Sequence, residues 1–282
     1  MGTVTALRRY PVKSMLGEAL TSVAVTERGL CGDRVFAVLD DAGTVGSAKH
    51  PRKWGSLLRC RSRLTSADKV VVELPDGVVL SAGDPDLDAR LSKLLGRHVS
   101  LSDTPGEHGG ALERAVPDYE GGVPDALRGT AATDATGAAV TSGHVAPGTF
   151  FDYGAVHLVT TTALARLRAA YPTGDFDPRR FRPNLVVDTL DGPGFPEDAW
   201  MDSHLRVGEA LFRVVVPTPR CVIPTLAQEE LPPDPGIMHA VAREHRVPVF
   251  DLGRLSCVGV YLEVLEPGTI RPGDSVTRRG SS

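Results

Sequence analysis

The stretch from Val214 to Leu226, Val-Val-Val-Pro-Thr-Pro-Arg-Cys-Val-Ile-Pro-Thr-Leu, restricts this chain more than any other. The apolar run Leu211, Phe212, Val214, Val215 and Val216 reads as a buried strand, and Pro217 reads as its end. Pro217, Pro219 and Pro224 each set φ near about −65° and lack a backbone N–H, so the segment after the strand is expected to be stiff and non-helical. Cys221 sits on it. The guanidinium of Arg220 next to it would favour the thiolate, the form that attacks electrophiles or binds metals. A free cysteine can equally serve as a small buried apolar residue.

A second stretch, Asp177 to Asp188, is an arginine-rich turn leading into a short apolar strand. Arg179, Arg180 and Arg182 lie close enough together to hold a phosphate or other anion through planar, bidentate donors. Near the N-terminus, residues 3–10 have strand composition and stop at Pro11, which places Lys13 and Ser14 in a loop at a strand end. Lys13 is there either an anion contact or an ordinary exposed lysine. Arg34 follows Gly32-Asp33 at a strand start, where it can serve as a structural partner of Asp33 or as a ligand contact.

These stretches carry a resemblance. Phe181-Arg182-Pro183-Asn184 followed by Pro219-Arg220-Cys221 resembles the MOSC domain of molybdenum-cofactor proteins. Tyr10-Pro11-Val12-Lys13-Ser14 and Gly32-Asp33-Arg34 resemble the β-barrel domain that precedes it in the mitochondrial amidoxime-reducing component and its bacterial YcbX-type relatives. Four motifs in the same order span nearly the whole chain. The resemblance implies a mostly β fold with some helix (α+β): an N-terminal β-barrel domain over residues 1–120, a Gly/Ala/Thr-rich connection over 121–148, and a MOSC β-barrel domain with flanking helices over 149–275.

It also implies a molybdenum cofactor, with the metal held by the pterin dithiolene, two oxygen ligands and Cys221. Asn184 and Arg220 would hydrogen-bond around the cofactor, Ser14 would lie beside its phosphate, and Lys13, Arg34 and Arg182 would supply positive charge. The implied activity is that of an oxidoreductase reducing N–O bonds of small N-oxygenated molecules such as amidoximes, hydroxylamines and N-oxides. Two other readings stand beside it: sulfur transfer through a Cys221 persulfide, and a non-catalytic carrier of the cofactor. The family also includes sulfurases, some fused to a pyridoxal-phosphate desulfurase domain, the source of the family's association with pyridoxal phosphate; no such domain is expected here. Lys13, Ser14 and Arg34 favour the reductase over the persulfide carrier, which needs no phosphate-lined second domain.

Composition supports these limits. A chain of 282 residues suggests about two domains. A net charge of −4 leaves no overall basic field for nucleic acid or an anionic membrane. No apolar stretch reaches signal-peptide or membrane-spanning length, so a cytoplasmic protein is expected. Four widely spaced cysteines without a C-x-x-C argue against a disulfide framework, structural zinc and an iron–sulfur cluster. There is no G-x-G-x-x-G fingerprint and no cysteine-rich extension, so electrons would come from a separate flavin or iron–sulfur redox protein.

The remaining stretches read as scaffold. Residues 23–26, 35–40 and 70–74 are short β-rich runs between turn signals, as in a small antiparallel barrel. Asp84 to Leu95 reads as a helix capped by Asp84 and ended by Gly96. Pro51-Arg52-Lys53-Trp54 reads as a basic loop, either a cleft rim or a solvated turn. Residues 102–148, which include Gly121-Gly122, His108 and His144, read as a long connection or partly mobile lid. Val156–Val159 reads as a strand and Thr160–Tyr171 as a helix, whose N-terminal N–H groups can face an anion. Strands are expected at 184–188, 205–216 and 258–265, and a helix at 237–245. Its His239, Glu244 and His245 lack metal-site spacing.

Overall fold

The computed structural model describes residues 2–66, 69–106, 109–119 and 129–279. His108 and Gly121-Gly122 fall outside them. Seven strands form a closed barrel: β1 (Gly2–Arg9), β2 (Val156–Thr160), β3 (Leu185–Thr189), β4 (His204–Val207), β5 (Ala210–Pro219), β6 (Arg254–Glu266) and β7 (Ser275–Arg279). The order is β2-β3-β1-β7-β4-β5-β6, and β6 pairs back onto β2. Closure leaves none of the seven with an open edge.

Alternation explains the barrel core. In β5 the residues Ala210, Phe212, Val214, Val216 and Thr218 are buried while those between them are less so, the period of two that sends alternate side chains inward. Phe212 and Val214 meet Val4, Leu7, Leu158, Leu185, Val187 and Val260 inside. The first strand therefore belongs to the same barrel as strands that begin after residue 155. Leu7 pairs with Leu185 on one side and Gly2 with Val276 on the other. A division at residue 120 follows chain order, and the strand pairing crosses it: β1 pairs with β3 along its length, with β7 at Gly2 and Thr3, and with Glu18–Leu20 at Leu7 to Arg9.

The prolines of β5 correct one expectation. The strand does not stop at Pro217 but runs to Pro219, with Pro217 opposite Val260 and Pro219 opposite Cys257, and the register shifts between 214 and 216 and between 217 and 219. Such irregularities accommodate residues that have no N–H to give the ladder. The segment beyond is not wholly non-helical either, since Ile223–Thr225 forms one 3-10 turn.

Between β1 and β2 lies a smaller unit. Ala37–Asp40 pairs with Val99–Ser102, and Arg61–Leu64, Val70–Glu73 and Val79–Ser81 form a second antiparallel ladder. Helix α1 (Pro85–Leu95) lies against them with Leu87 and Leu91 inward. Asp84 caps it by accepting from the Asp86 N–H (3.0 Å), and Gly96, at φ 65°, ends it. Pro51–Trp54 is neither a cleft rim nor a solvated turn: it is a short helical turn whose Trp54 is fully buried beside Met15 and Val38. Lys53 leaves that turn to pair with Glu113 at 2.9 Å.

The described part of residues 102–148 is more ordered than its composition suggests. Ala111–Ala115, Ala132–Thr133 and Ala139–His144 form a three-stranded antiparallel sheet. Backbone pairing needs little apolar surface, and the sheet is anchored by Leu112, which packs with Val45, Val145 and Phe150. Helices α2 (Thr161–Ala170) and α3 (Gly236–Glu244) cover the other side of the barrel and bury Leu164, Leu167, Ile237 and Val241 against Phe176 and Phe181. Thr160 caps α2 by accepting from the Ala163 N–H (3.1 Å) and donates to the buried Glu197 carboxyl (2.8 Å), so the chain's own side chain takes one of the N–H groups at this helix N-terminus. Among the described residues no helix is long and apolar enough to cross a membrane.

Candidate functional site

Three loops converge at one end of the barrel: the one leaving β1, the one entering β3 and the one leaving β5. They bring Lys13 and Ser14, then Arg182 and Asn184, then Arg220 and Cys221, into one cleft of about 660 Å3, mouth included, with Arg34 between them. All seven residues expected from the sequence line it. Ser14, Arg34 and Arg182 have φ values of 64°, 50° and 55°, a left-handed backbone uncommon for residues other than glycine. Such conformations persist where the surrounding structure enforces them, often at ligand sites. Here they aim side chains that an extended backbone would send elsewhere.

The electrostatics are one-sided. Among the described residues, Lys13, Arg34, Lys49, Arg182 and Arg220 line the cleft beside one lining carboxylate, Asp152. Lys13 Nζ donates to the Phe150 carbonyl (2.9 Å) and to Asp152 Oδ1 (2.7 Å), and Lys49 reaches the same oxygen at 3.0 Å. Burial lowers Lys13 to about 8. Burial alone would raise Asp152, yet the two lysines hold it well below the usual carboxylate range. Arg34 pairs with Asp33 and also donates to Asn184 Oδ1 (3.4 Å).

Arg182 differs from its neighbours in the arginine turn. Arg179 is held by Asp177, Glu229 and Glu230. Arg180 is fully buried and donates to the carbonyls of Asp175, Pro224 and Pro232. The guanidinium of Arg182 lies 4.3 Å from the Tyr10 ring centroid, and both of its terminal nitrogens are buried without a hydrogen-bond partner. Burial pulls it down to about 10. A buried, unsatisfied guanidinium facing a cleft is costly unless a ligand completes it.

Other residues act as framework. Asn184 accepts from the His157 N–H (3.1 Å) and donates to the Arg8 carbonyl (3.3 Å), which ties β2 to β1 and leaves little of its side chain for a ligand. Ser14 Oγ accepts from the Ala48 N–H (3.0 Å). Arg220 donates to the Phe181 carbonyl (2.7 Å), while its Nε is buried without a partner. Cys221 is half-buried against Ala48, Leu58 and Ile223.

Ser47, Lys49, Asp152, His157 and Tyr261 join the cleft without having been singled out in the sequence. For His157 a signal existed, one polar residue inside an otherwise apolar strand. Burial, reinforced by the Arg220 charge, keeps its imidazole well below the usual histidine range, and Nε2 donates to the Val258 carbonyl at 3.1 Å. Burial also raises the Tyr261 phenol to about 12.

A second, largely apolar cleft of about 1060 Å3, mouth included, adjoins the first. Lys49, Asp152, Pro219, Arg220, Cys221 and Tyr261 line both. Cys221 therefore stands where a cationic cleft meets an apolar one.

Two known protein-family models agree with this architecture. A family model described as the MOSC domain matches residues 145–277, and one described as the MOSC N-terminal β-barrel domain matches residues 1–106. Among solved structures, the YuaD protein from Bacillus subtilis is similar at 11% identity over 100% of this chain and 97% of that one, with a TM-score of 0.47. YiiM from Geobacillus stearothermophilus is similar at 19% identity over 45% of this chain, with a TM-score of 0.33. YiiM from Escherichia coli is similar at 18% identity over 46% of this chain, with a TM-score of 0.32. This chain covers 54% and 56% of those two YiiM chains. No curated protein matches it.

Proposed function

Because this chain belongs to the MOSC-domain family whose members carry an N-terminal MOSC β-barrel domain, we propose that its cationic cleft holds a molybdenum cofactor with Cys221 as the protein ligand to the metal. The observation that carries the reading is Arg182, whose two terminal nitrogens are buried, unpartnered and placed in a cleft with four further cations. That donor set fits an anionic, phosphate-bearing group. Among the described residues no cluster of three His, Cys, Asp or Glu side chains can hold a metal, so a metal beside Cys221 would need ligands from a cofactor. A soft thiolate suits such a centre.

When bound, the cofactor supplies two-electron reduction of an N–O bond, a reaction that takes up two electrons and two protons and releases water. The chain's own residues bind and position. Arg182, Arg34 and Lys13 counter the negative charge, and Asn184 fixes Arg34 and the β2 backbone. Asp152 anchors both lysines in the cleft through one oxygen. Neutral His157 adds no charge to the cationic group. A separate redox protein delivers the electrons.

The test is elemental and pterin analysis of the protein purified from a host that makes molybdenum cofactor, with Cys221→Ala beside it. Near-stoichiometric molybdenum and pterin in the wild type, with metal lost or loosened in the variant, is the expected result. A folded wild-type protein without either refutes the reading and turns attention to a persulfide on Cys221.

A further inference from the structure

The apolar cleft beside Cys221 has a composition that selects a ligand. Phe250, Tyr153 and Leu252 stand on its wall with 60%, 51% and 45% of their surface exposed. Phe250 has φ 46°, a strained backbone for an aromatic residue, and its ring lies 5.7 Å from that of Tyr153. Tyr153 in turn lies 5.8 Å from Tyr261, so a row of rings runs from the rim to the thiol. Apolar side chains held open around a cleft mark a binding surface for an apolar body.

Among the described residues, one charge in this cleft has no counterpart. Lys49 is bound to Asp152, and Arg220 is directed to the Phe181 carbonyl. Arg114 lies in the strand Ala111–Ala115, where successive side chains face opposite ways: Glu113 turns out to Lys53, and Arg114 turns into the cleft. Its Nε is buried without a partner, and among the described residues no carboxylate pairs with it. Its guanidinium packs over Gly143, where a Cβ would come within 1.9 Å of a terminal nitrogen. The bare glycine leaves the space that the guanidinium occupies.

We propose that this cleft is the substrate site, and that it takes an aromatic or branched aliphatic molecule bearing a carboxylate, with Arg114 pairing the carboxylate and Phe250, Tyr153 and Leu252 covering the apolar body. The assignment of a reacting group near Cys221 rests on the function proposed above; the carboxylate selection does not. A bidentate arginine–carboxylate pair in a partly dry cleft distinguishes charge from its neutral isostere by about tenfold or more.

The probes are 4-tert-butylbenzoate and 4-tert-butylbenzamide, with binding measured by titration calorimetry on the full chain. Wild type is expected to prefer the carboxylate by about tenfold, a preference that falls to near unity in Arg114→Gln and is partly restored in Arg114→Lys. Phe250→Ala is expected to weaken both probes alike. Equal binding of the two probes by the wild type, or an unchanged preference in Arg114→Gln, overturns the proposal, as does no binding of either. Molybdenum and pterin content is measured on the same samples. Arg114-dependent selection in a protein lacking cofactor sinks the reductase reading and leaves the site; full cofactor without selection sinks the site alone.

Discussion

Replacing Arg182 with methionine separates a ligand contact from a structural residue. Arg182 is 7% exposed and at φ 55°, a backbone position that Met adopts no more easily or less easily than Arg. Burial takes its guanidinium from the ordinary arginine value down to about 10. That shift corresponds to about 3 kcal/mol of penalty on the charged form, against which the Tyr10 cation–π contact returns about 2 kcal/mol. Two unsatisfied terminal nitrogens add a cost on the same side. A methionine of similar length keeps the packing and removes these costs, so the ligand-free variant should be as stable as wild type or more stable by about 1 kcal/mol, a rise in Tm of roughly 2 °C. The opposite is expected once an anion is added. If phosphate binds with a Kd of about 1 mM, a concentration of about 10 mM stabilises wild type by about 1.4 kcal/mol and should leave Arg182→Met nearly unmoved. Urea unfolding in phosphate-free buffer, with and without added phosphate, reads both effects. A variant that loses more than about 2 kcal/mol without phosphate, yet keeps the phosphate response, refutes the assignment.

Three further outcomes follow from the same structure. Lys13 is held at about 8, below its ordinary 10.5, so the ligand-free cleft loses a positive charge as pH rises through 8; phosphate affinity measured between pH 7 and 9.5 should fall across that range and flatten in Lys13→Met. Glu197 is buried and raised from 4.5 to about 7. The folded state thus holds an extra proton between these values, stability declines as pH rises from 4.5 to 7, and the full penalty applies above 7. Glu197→Gln, which can still accept from Thr160, should be more stable than wild type by up to about 3 kcal/mol at pH 8 and little different at pH 4.5, as read by denaturant midpoints. Gly259 sits in β6 at φ 75°, where a Cβ would meet the Leu158 carbonyl oxygen at 2.1 Å. Gly259→Ala should cost about 3 kcal/mol or more and lower Tm, and an unchanged melting curve would show that the β2–β6 seam yields easily.

Much of this molecule is local enough to read along the chain. Asp84 and Gly96 bound α1 because a carboxylate cap and a left-handed glycine act within one turn. The alternation in β5 marks its inner face, and the buried strand delivers Cys221 to a constrained loop, as the proline spacing indicates. The family and its mostly β architecture were legible from four short motifs in order. Other features were not. Arg179, Arg180 and Arg182 are chemically identical and nearly adjacent, yet an acidic cluster holds the first, four carbonyls surround the second, and only the third reaches the cleft.

The sequence alone therefore determined the locally coded elements, such as α1 with its caps and the alternating strand β5, and singled out seven residues, the thiol among them, that line the cleft. Tertiary structure decided that the first strand closes a barrel built mostly from the second half of the chain, through pairings such as Gly2 with Thr189. It also brought Lys49, Asp152, Tyr261 and Arg114 to the thiol, from segments whose own composition is ordinary. The physical reason is that caps, pleats and proline constraints act over a few residues, whereas strand pairing across nearly two hundred residues, and the direction of a loop side chain, are set by what packs against them.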